Sequence, residues 1–299
     1  MTRQEVLKAI TDNQTIRGVN LSGIDLAGAD LTGGRFEDVI FHDADLREVN
    51  ILKTGLKRCD FSGARLDNTN LTKVDLRKMK FVGASLRGVK LHQTQFQRAD
   101  LSRTDFHGTF FSWTLLQHAN LEGANLSGTR FEKVICNHAS LKDVDLSNAD
   151  LTKAVFRDCD LSGVRFDGCH FFKIFLGSCN LERQNFKGAN FSTVNADSAN
   201  LKGANFKGAN IAYSNFSGAD LTGADLTGVK GGKAMFKGAI LHKTKLPKAR
   251  LEQSYFGEAD LTLADLSGAD LTHCVFTAAS LRATKCEGAN FTFADLSHA

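Results

Sequence analysis

The stretch ADLTGADLTGVKGGKAMFKGA, residues 219–239, decides the fold. Its Gly228-Val-Lys-Gly-Gly-Lys233 suggests a phosphate-cradling loop, whereas ADLTG twice in succession suggests a repeat. A GxxxxGK[ST] loop needs glycine five residues before its last glycine and a hydroxyl after the lysine. Thr227 and Ala234 stand at those places. Counting by fives instead puts Gly231 between Leu226 and Phe236, where a large apolar residue belongs. The stretch therefore reads as a repeat whose core side chain is deleted. The expected result is a cavity or a local collapse costing about 2–5 kcal/mol relative to Leu. On that reading, Gly231→Leu raises thermal stability.

The same count holds from Leu21 to Leu296. Of 56 positions spaced by five, 31 are Leu, 19 Phe, two Ile and two Cys; Ala196 and Gly231 are the exceptions. Two residues before each centre sits a small or β-branched residue, such as Ala29, Val39 or Ala44. The residue just before the centre is Asp 16 times and Asn 14 times. Period five matches neither a helix nor a strand. A chain that turns a corner every five residues points one large and one small residue inward per side. Four sides make a coil of about 20 residues, and coils stack by backbone hydrogen bonds at about 4.8 Å. Fifty-six repeats give about 14 coils and roughly 65 Å of rod. Asn and Asp suit the turns, because they tolerate unusual backbone angles and bond to the backbone locally. The unbroken Asn series from Asn180 to Asn215 reads that way, and not as a ligand-binding ladder.

Phrases such as ANLEGANLSG (119–128) and ADLTLADLSGADLTH (259–273) resemble the A(D/N)LxG wording of the pentapeptide repeat family, and the resemblance covers residues 19–299. It implies an all-β solenoid, a right-handed quadrilateral parallel β-helix. Residues 1–15 are expected to form a capping helix and 16–299 a single repeat domain. Thr2 and Glu5 fit a capping box, and Val6, Leu7 and Ile10 share one helical face. The helix would cover the first coil. Gyrase-protecting members of the family pair through the opposite end, which implies a homodimer through the C-terminal coil.

Composition narrows the function. The formal charge is +4 and 42% of residues are hydrophobic. No apolar run approaches the ~18 residues of a membrane span, and the first twenty residues lack a signal-peptide core. A cytoplasmic protein is expected, with export lacking a cleavable signal left open. The nine histidines all map outward. His118 and His138 fall on adjacent coils without a third ligand. The seven cysteines map inward as small hydrophobes. Cys159 and Cys179 fall on adjacent coils, where an adventitious disulfide is conceivable. Asp pairs recur by rule and carry no catalytic information. No catalytic residue, metal or cofactor is expected, and the chain reads as no enzyme.

What remains is the outer surface, whose sides are named here by their first centres: Leu21, Leu26, Leu31 and Phe36. All seven outward aromatics fall on two adjacent sides. Phe110, Trp113, Phe172, Tyr213 and Phe293 belong to the Leu31 side, and Phe175 and Tyr255 to the Phe36 side. Leu115, Ile135, Val155 and Phe175 recur at one position of successive coils. Such a stripe suits an interface, although half-burial near a corner would also explain it. Residues 51–100 hold 11 Lys/Arg against 4 Asp/Glu. Lys53, Lys57, Arg58, Lys73, Arg77 and Lys78 form the candidate basic patch on the Phe36 side and its corner. Residues 201–250 hold 9 against 2, spread around all sides.

These features point to a rigid scaffold that docks a protein partner. The resemblance implies a bacterial adaptor, of secretion-associated or effector type. It also implies an alternative, DNA mimicry that protects gyrase, but net positive charge and the lack of loops oppose it. Direct nucleic-acid binding rests on the basic patch alone and ranks lower.

Overall fold

Every fifth residue turns inward because each repeat closes a β-turn. The amide two residues before one centre bonds back to the carbonyl of the preceding centre, as Ala29 N does to Leu26 O (2.9 Å) and Ala44 N to Phe41 O (3.1 Å). A computed structural model describes all 299 residues. The chain is a parallel β-solenoid of twenty-residue coils, with four sides to a coil and one short helix. Ladder bridges join residues twenty apart, such as Asn20↔Ile40, Asp45↔Arg65 and Tyr255↔Val275. The coils group into two compact units: Met1–Asp150 with Gly163–Asp167, and Leu151–Ser162 with Gly168–Ala299.

Where the turn gives way to a straighter segment, true strands appear. Strands β1 (Thr15–Arg17), β2 (Arg35–Glu37) and β3 (Gly55–Lys57) form a parallel sheet on the Phe36 side, with Ile16, Phe36 and Leu56 in register. Strands β4 (Lys90–His92), β5 (Phe110–Ser112) and β6 (Arg130–Glu132) form another on the Leu31 side, with Leu91, Phe111 and Phe131 in register. Both sheets lie in the first unit.

The core is a set of side-chain columns one strand spacing apart. In the first unit Phe41, Phe61 and Phe81 stack at 5.0 Å. In the second, Phe236, Phe256 and Phe276 stack at 4.8 Å with rings 5° from parallel. That distance is the strand spacing itself. The coil imposes the face-to-face stack, and each buried ring contributes about 1.5–3 kcal/mol. Hydroxyls in the small inward place bond to the coil before: Thr69 Oγ1 donates to Leu46 O (3.0 Å) and Thr94 Oγ1 to Leu71 O (2.8 Å). The larger Gln184 does the same through Nε2, to Leu161 O at 2.7 Å.

The Asp and Asn before each centre act locally, as expected. Asp25 Oδ1 accepts the amide of Ala27 (2.9 Å), and Asp30 Oδ1 that of Thr32 (3.0 Å). Asn does more. Asn200 Nδ2 donates to Asn180 Oδ1 (2.9 Å) and Asn205 Nδ2 to Asn185 Oδ1 (3.1 Å), so the Asn series ties coils together. The unusual backbone angles lie elsewhere than expected. Positive φ falls two residues after each centre, often on non-glycine residues such as Trp113 (φ 52°). Such angles carry a strain that the two flanking ladders must hold in place.

Helix α1 (Arg3–Thr11) has the full Thr2–Glu5 capping box. Val6 and Ala9 are its buried residues, while Leu7 and Ile10 are half-buried. Arg3 ties it to the coils through Ala27 O (3.1 Å). At the other end the centres of the last coil are open. Leu281 and Phe291 are half-buried, and Cys286 is exposed, against the expectation that all seven cysteines lie inside.

Gly231 overturns the expected hole. Its backbone is ordinary coil, with its amide on Arg250 O (2.7 Å) and its carbonyl accepting from Ser254 Oγ (2.9 Å). A Cβ there would lie 2.6 Å from Leu251 Cδ2 and 2.9 Å from Ile211 Cγ1. The side chains of the coils on either side already fill the space. Gly231→Leu is therefore expected to lower stability, by about 1–3 kcal/mol, as a fall in the urea midpoint. An unchanged or raised midpoint would show an empty site.

On the first sheet Glu37 collects three cations. Lys57 Nζ lies 2.9 Å and Arg58 Nη2 2.8 Å from its carboxylate, and Arg17 pairs with it from β1. Lys57, Arg58 and Arg17 hold its carboxyl down, at about 2 against an ordinary 4.5. A depressed carboxyl stabilises the fold above its unfolded value and loses that contribution as pH falls towards the folded one. Glu37→Gln should thus be less stable than the parent above about pH 4.5. Unfolding curves should converge as pH falls to about 2. A gap that stays constant with pH would contradict the pairing.

Candidate functional site

The corner between the Leu31 and Phe36 sides carries a column of left-handed residues. In the first unit that column reads Asn13, Gly33, Lys53, Lys73, Gln93, Trp113 and Lys133. Trp113 is 48% exposed, and Lys133 Nζ sits 3.9 Å above its ring centre. Beside it, Arg130 lies 5.1 Å over the exposed ring of Phe110. The coil repeat produces both contacts, since each cation stands twenty residues after its ring. An exposed cation–π pair contributes about 0.5–1 kcal/mol and leaves the other ring face to solvent. Leu115 and Ile135 bridge to each other on the Phe36 side and are half-buried.

The second unit repeats the theme on the same two sides. Phe172 and Phe175 are both about half exposed, with Lys173 5.2 Å over the Phe172 ring. Val155, bridged to Phe175, is half-buried. Tyr213 has Lys233 at 5.5 Å, and Phe293 stacks on His273 at 4.9 Å. Tyr255 differs from the rest: its hydroxyl folds over Gly257 and the side chain is half-buried. Of that stripe, then, Phe175 is the most exposed. Exposed aliphatics are not confined to these sides, for Ile40, Ile240 and Leu263 lie on the Leu21 side.

The basic patch is partly neutralised. Lys57 and Arg58 are engaged by Glu37, Arg58 also by Asp38 (2.6 Å), and Arg77 pairs with Asp75 (2.6 Å). Lys53, Lys73 and Lys78 make no ion pair and remain its free cations.

Under this patch lies a feature that counting by fives did not reveal. Residues 50–58 and 70–78 occupy adjacent coils, yet no backbone hydrogen bond joins them. Below, Leu31 N bonds to Asn50 O (2.7 Å) and Gly55 N to Gly34 O (2.8 Å). Above, Leu71 N bonds to Lys90 O (3.0 Å) and Leu76 N to Gln95 O (2.8 Å). On the two other sides the ladder continues, with Phe61 N to Lys80 O and Leu66 N to Ser85 O both at 2.8 Å. The coils therefore part on the Leu31 and Phe36 sides only. A groove of about 640 Å³ runs between Asn50–Gly55 and the segment 70–75. It continues as one of about 440 Å³ between Leu56–Arg58 and Asp75–Met79. Beneath is an apolar void of about 20 Å³ lined by Phe36, Leu56, Phe61 and Leu76, among others.

Like charges stack across the parting: Lys53 under Lys73, Lys57 under Arg77, Arg58 under Lys78. At one strand spacing each such pair costs about 0.8 kcal/mol in water, and more near protein. Gly55 offers no side chain to pack beneath Asp75.

Elsewhere the chemistry is structural. Buried thiols donate to carbonyls, Cys179 Sγ to Phe156 O and Cys274 Sγ to Leu251 O, both at 2.9 Å. Burial pushes Cys274 up to about 12. The neighbouring Cys159 thiol, then burial, push Cys179 up. No disulfide is present, including between Cys159 and Cys179. His118 and His138 stack at 5.0 Å, and no group of three His, Cys, Asp or Glu is placed to hold a metal. No helix is long and apolar enough to cross a membrane.

Comparison with known proteins follows the repeat. A family model described as a pentapeptide repeat region matches residues 34–120 and 149–226. A second, described as pentapeptide repeats (8 copies), matches 16–51, 214–253, 248–277 and 274–299. No curated protein sequence matches the chain. Among solved structures, HetL is a pentapeptide repeat protein involved in heterocyst differentiation regulation, from the cyanobacterium Nostoc sp. strain PCC 7120. It is 22% identical over 99% of this chain and 94% of its own, with a TM-score of 0.20. Full-length QnrB1, a plasmid-mediated fluoroquinolone resistance protein, is 19% identical over 73% and 91%, with a TM-score of 0.19. A pentapeptide repeat protein from the Arabidopsis thaliana thylakoid lumen is 22% identical over 49% and 71%, with a TM-score of 0.17. The two family models together take in most of residues 16–299, and the chain belongs to the pentapeptide repeat family.

Proposed function

We propose that the protein is a non-enzymatic docking scaffold that holds a protein partner against its Leu31 and Phe36 sides. The observation that carries this reading is the set of exposed rings with cations stacked on them, Trp113 under Lys133 above all. A ring held flat by a neighbouring coil is ordered before a partner arrives, so little side-chain entropy is lost on binding. Aromatic and Arg anchors of this kind dominate the energetics of protein interfaces. The filled interior supports a surface role over a catalytic one. Mimicry of DNA needs an acidic surface, whereas this chain is net +4 with its free lysines on the docking sides.

Replacing Trp113, Ile135 and Phe175 with Ser tests the reading. The fold should persist, because these side chains lie outside the core columns. Partners captured from the source cells should bind about tenfold or more weakly. Capture at unchanged strength would mean that these residues only pack. A parallel supercoiling assay with gyrase, with and without quinolone, should show no protection; protection would favour mimicry instead.

A further inference from the structure

We propose that the parting between residues 50–58 and 70–78 is a binding cleft for a short, extended, acidic segment of a protein partner. The inference rests on the scaffold reading but assigns a different place and a defined chemistry. Facing the parting, the amides of Ile51, Lys53, Leu56 and Arg58 on one wall and the carbonyls of Asn70, Thr72, Asp75 and Arg77 on the other lack backbone partners. Open edges of this sort pair readily with an added strand. The rim is basic: Lys53, Lys73 and Lys78 are free, and Asp75, the one acid lining either groove, is held by Arg77. Carboxylates entering between the two rows would pair with the like charges that face each other across the parting. The floor is apolar, with Leu56 and Val74 half-buried above the void. A strand alternates its side chains between opposite directions. A segment alternating acidic and apolar residues therefore meets rim and floor at once. Single-stranded nucleic acid would satisfy the lysines but neither the backbone edges nor the floor.

The test uses the full-length protein and a fluorescein-labelled peptide of alternating Glu and Val, read by anisotropy. The expected result is saturable binding, weakened by salt. It should weaken by at least about tenfold in Lys53→Glu/Lys73→Glu. Gly55→Phe should abolish it by filling the groove mouth. The nearest atoms to a Cβ there are 3.8 Å away and φ is not positive, so the backbone accepts a side chain at this place. The triple Ser variant at Trp113, Ile135 and Phe175 should bind the peptide as the parent does. No binding by the parent overturns the cleft, as does binding that survives Gly55→Phe. So does stronger binding of a labelled single-stranded oligonucleotide that Lys53→Glu/Lys73→Glu abolishes. If partner capture depends on Trp113 while the peptide fails, the cleft falls and the scaffold reading stands. If the peptide binds as expected while capture ignores the triple variant, the aromatic sides fall instead.

Discussion

The backbone ladder between coils is the constraint on which everything else depends. Its register is twenty residues, so each side chain meets one above and one below at a single strand spacing. Inside, this makes columns. Phe stacks on Phe, Thr hydroxyls reach the carbonyls of the coil before, and Asn amides tie coil to coil. Outside, it makes rows, and a row of rings and lysines becomes a set of stacked cation–π pairs. A property that would be incidental on an irregular surface is multiplied by the repeat.

The same constraint punishes repetition of like charge. Aspartates before the centres avoid the penalty, because their oxygens are taken by the amides of their own turns. Lysines and arginines rely instead on nearby carboxylates, as Arg58 does on Asp38 and Arg77 on Asp75. Rows of them stack at 53/73, 57/77 and 58/78, where the ladder is open, but also at 78/98 and 230/250, where it is closed. Glu37 shows the opposite case. One carboxylate, placed between Arg17 and Lys57 on paired strands, holds its sheet together.

Most of the fold was legible in the sequence, because a five-residue period leaves little freedom. The inward columns, the capping box at Thr2 and Glu5, and the outward histidines all follow from counting. What escaped was anything set by neighbouring coils. Gly231 looked like a hole, but Ile211 and Leu251 close over it. The left-handed angle belongs to the corner after each centre, where Trp113 and Lys133 accept it, and not to the Asp and Asn. Of the candidate site, the exposed rings were legible and their cations were not paired with them. The aliphatic stripe proved half-buried except at Phe175. The basic band was visible in the composition, but the parting of two coils beneath it was not.

The measurement closest to this account is deuterium uptake of the native protein, resolved by peptide mass spectrometry. If inter-coil hydrogen bonds hold the fold and are missing above residues 50–58, the amides of Ile51, Lys53, Leu56 and Arg58 take up label quickly. Segments 60–68 and 81–89, on intact ladders, should stay protected under the same conditions. Equal protection of 50–58 and these two segments would mean that the ladder is closed there, and would contradict the parting.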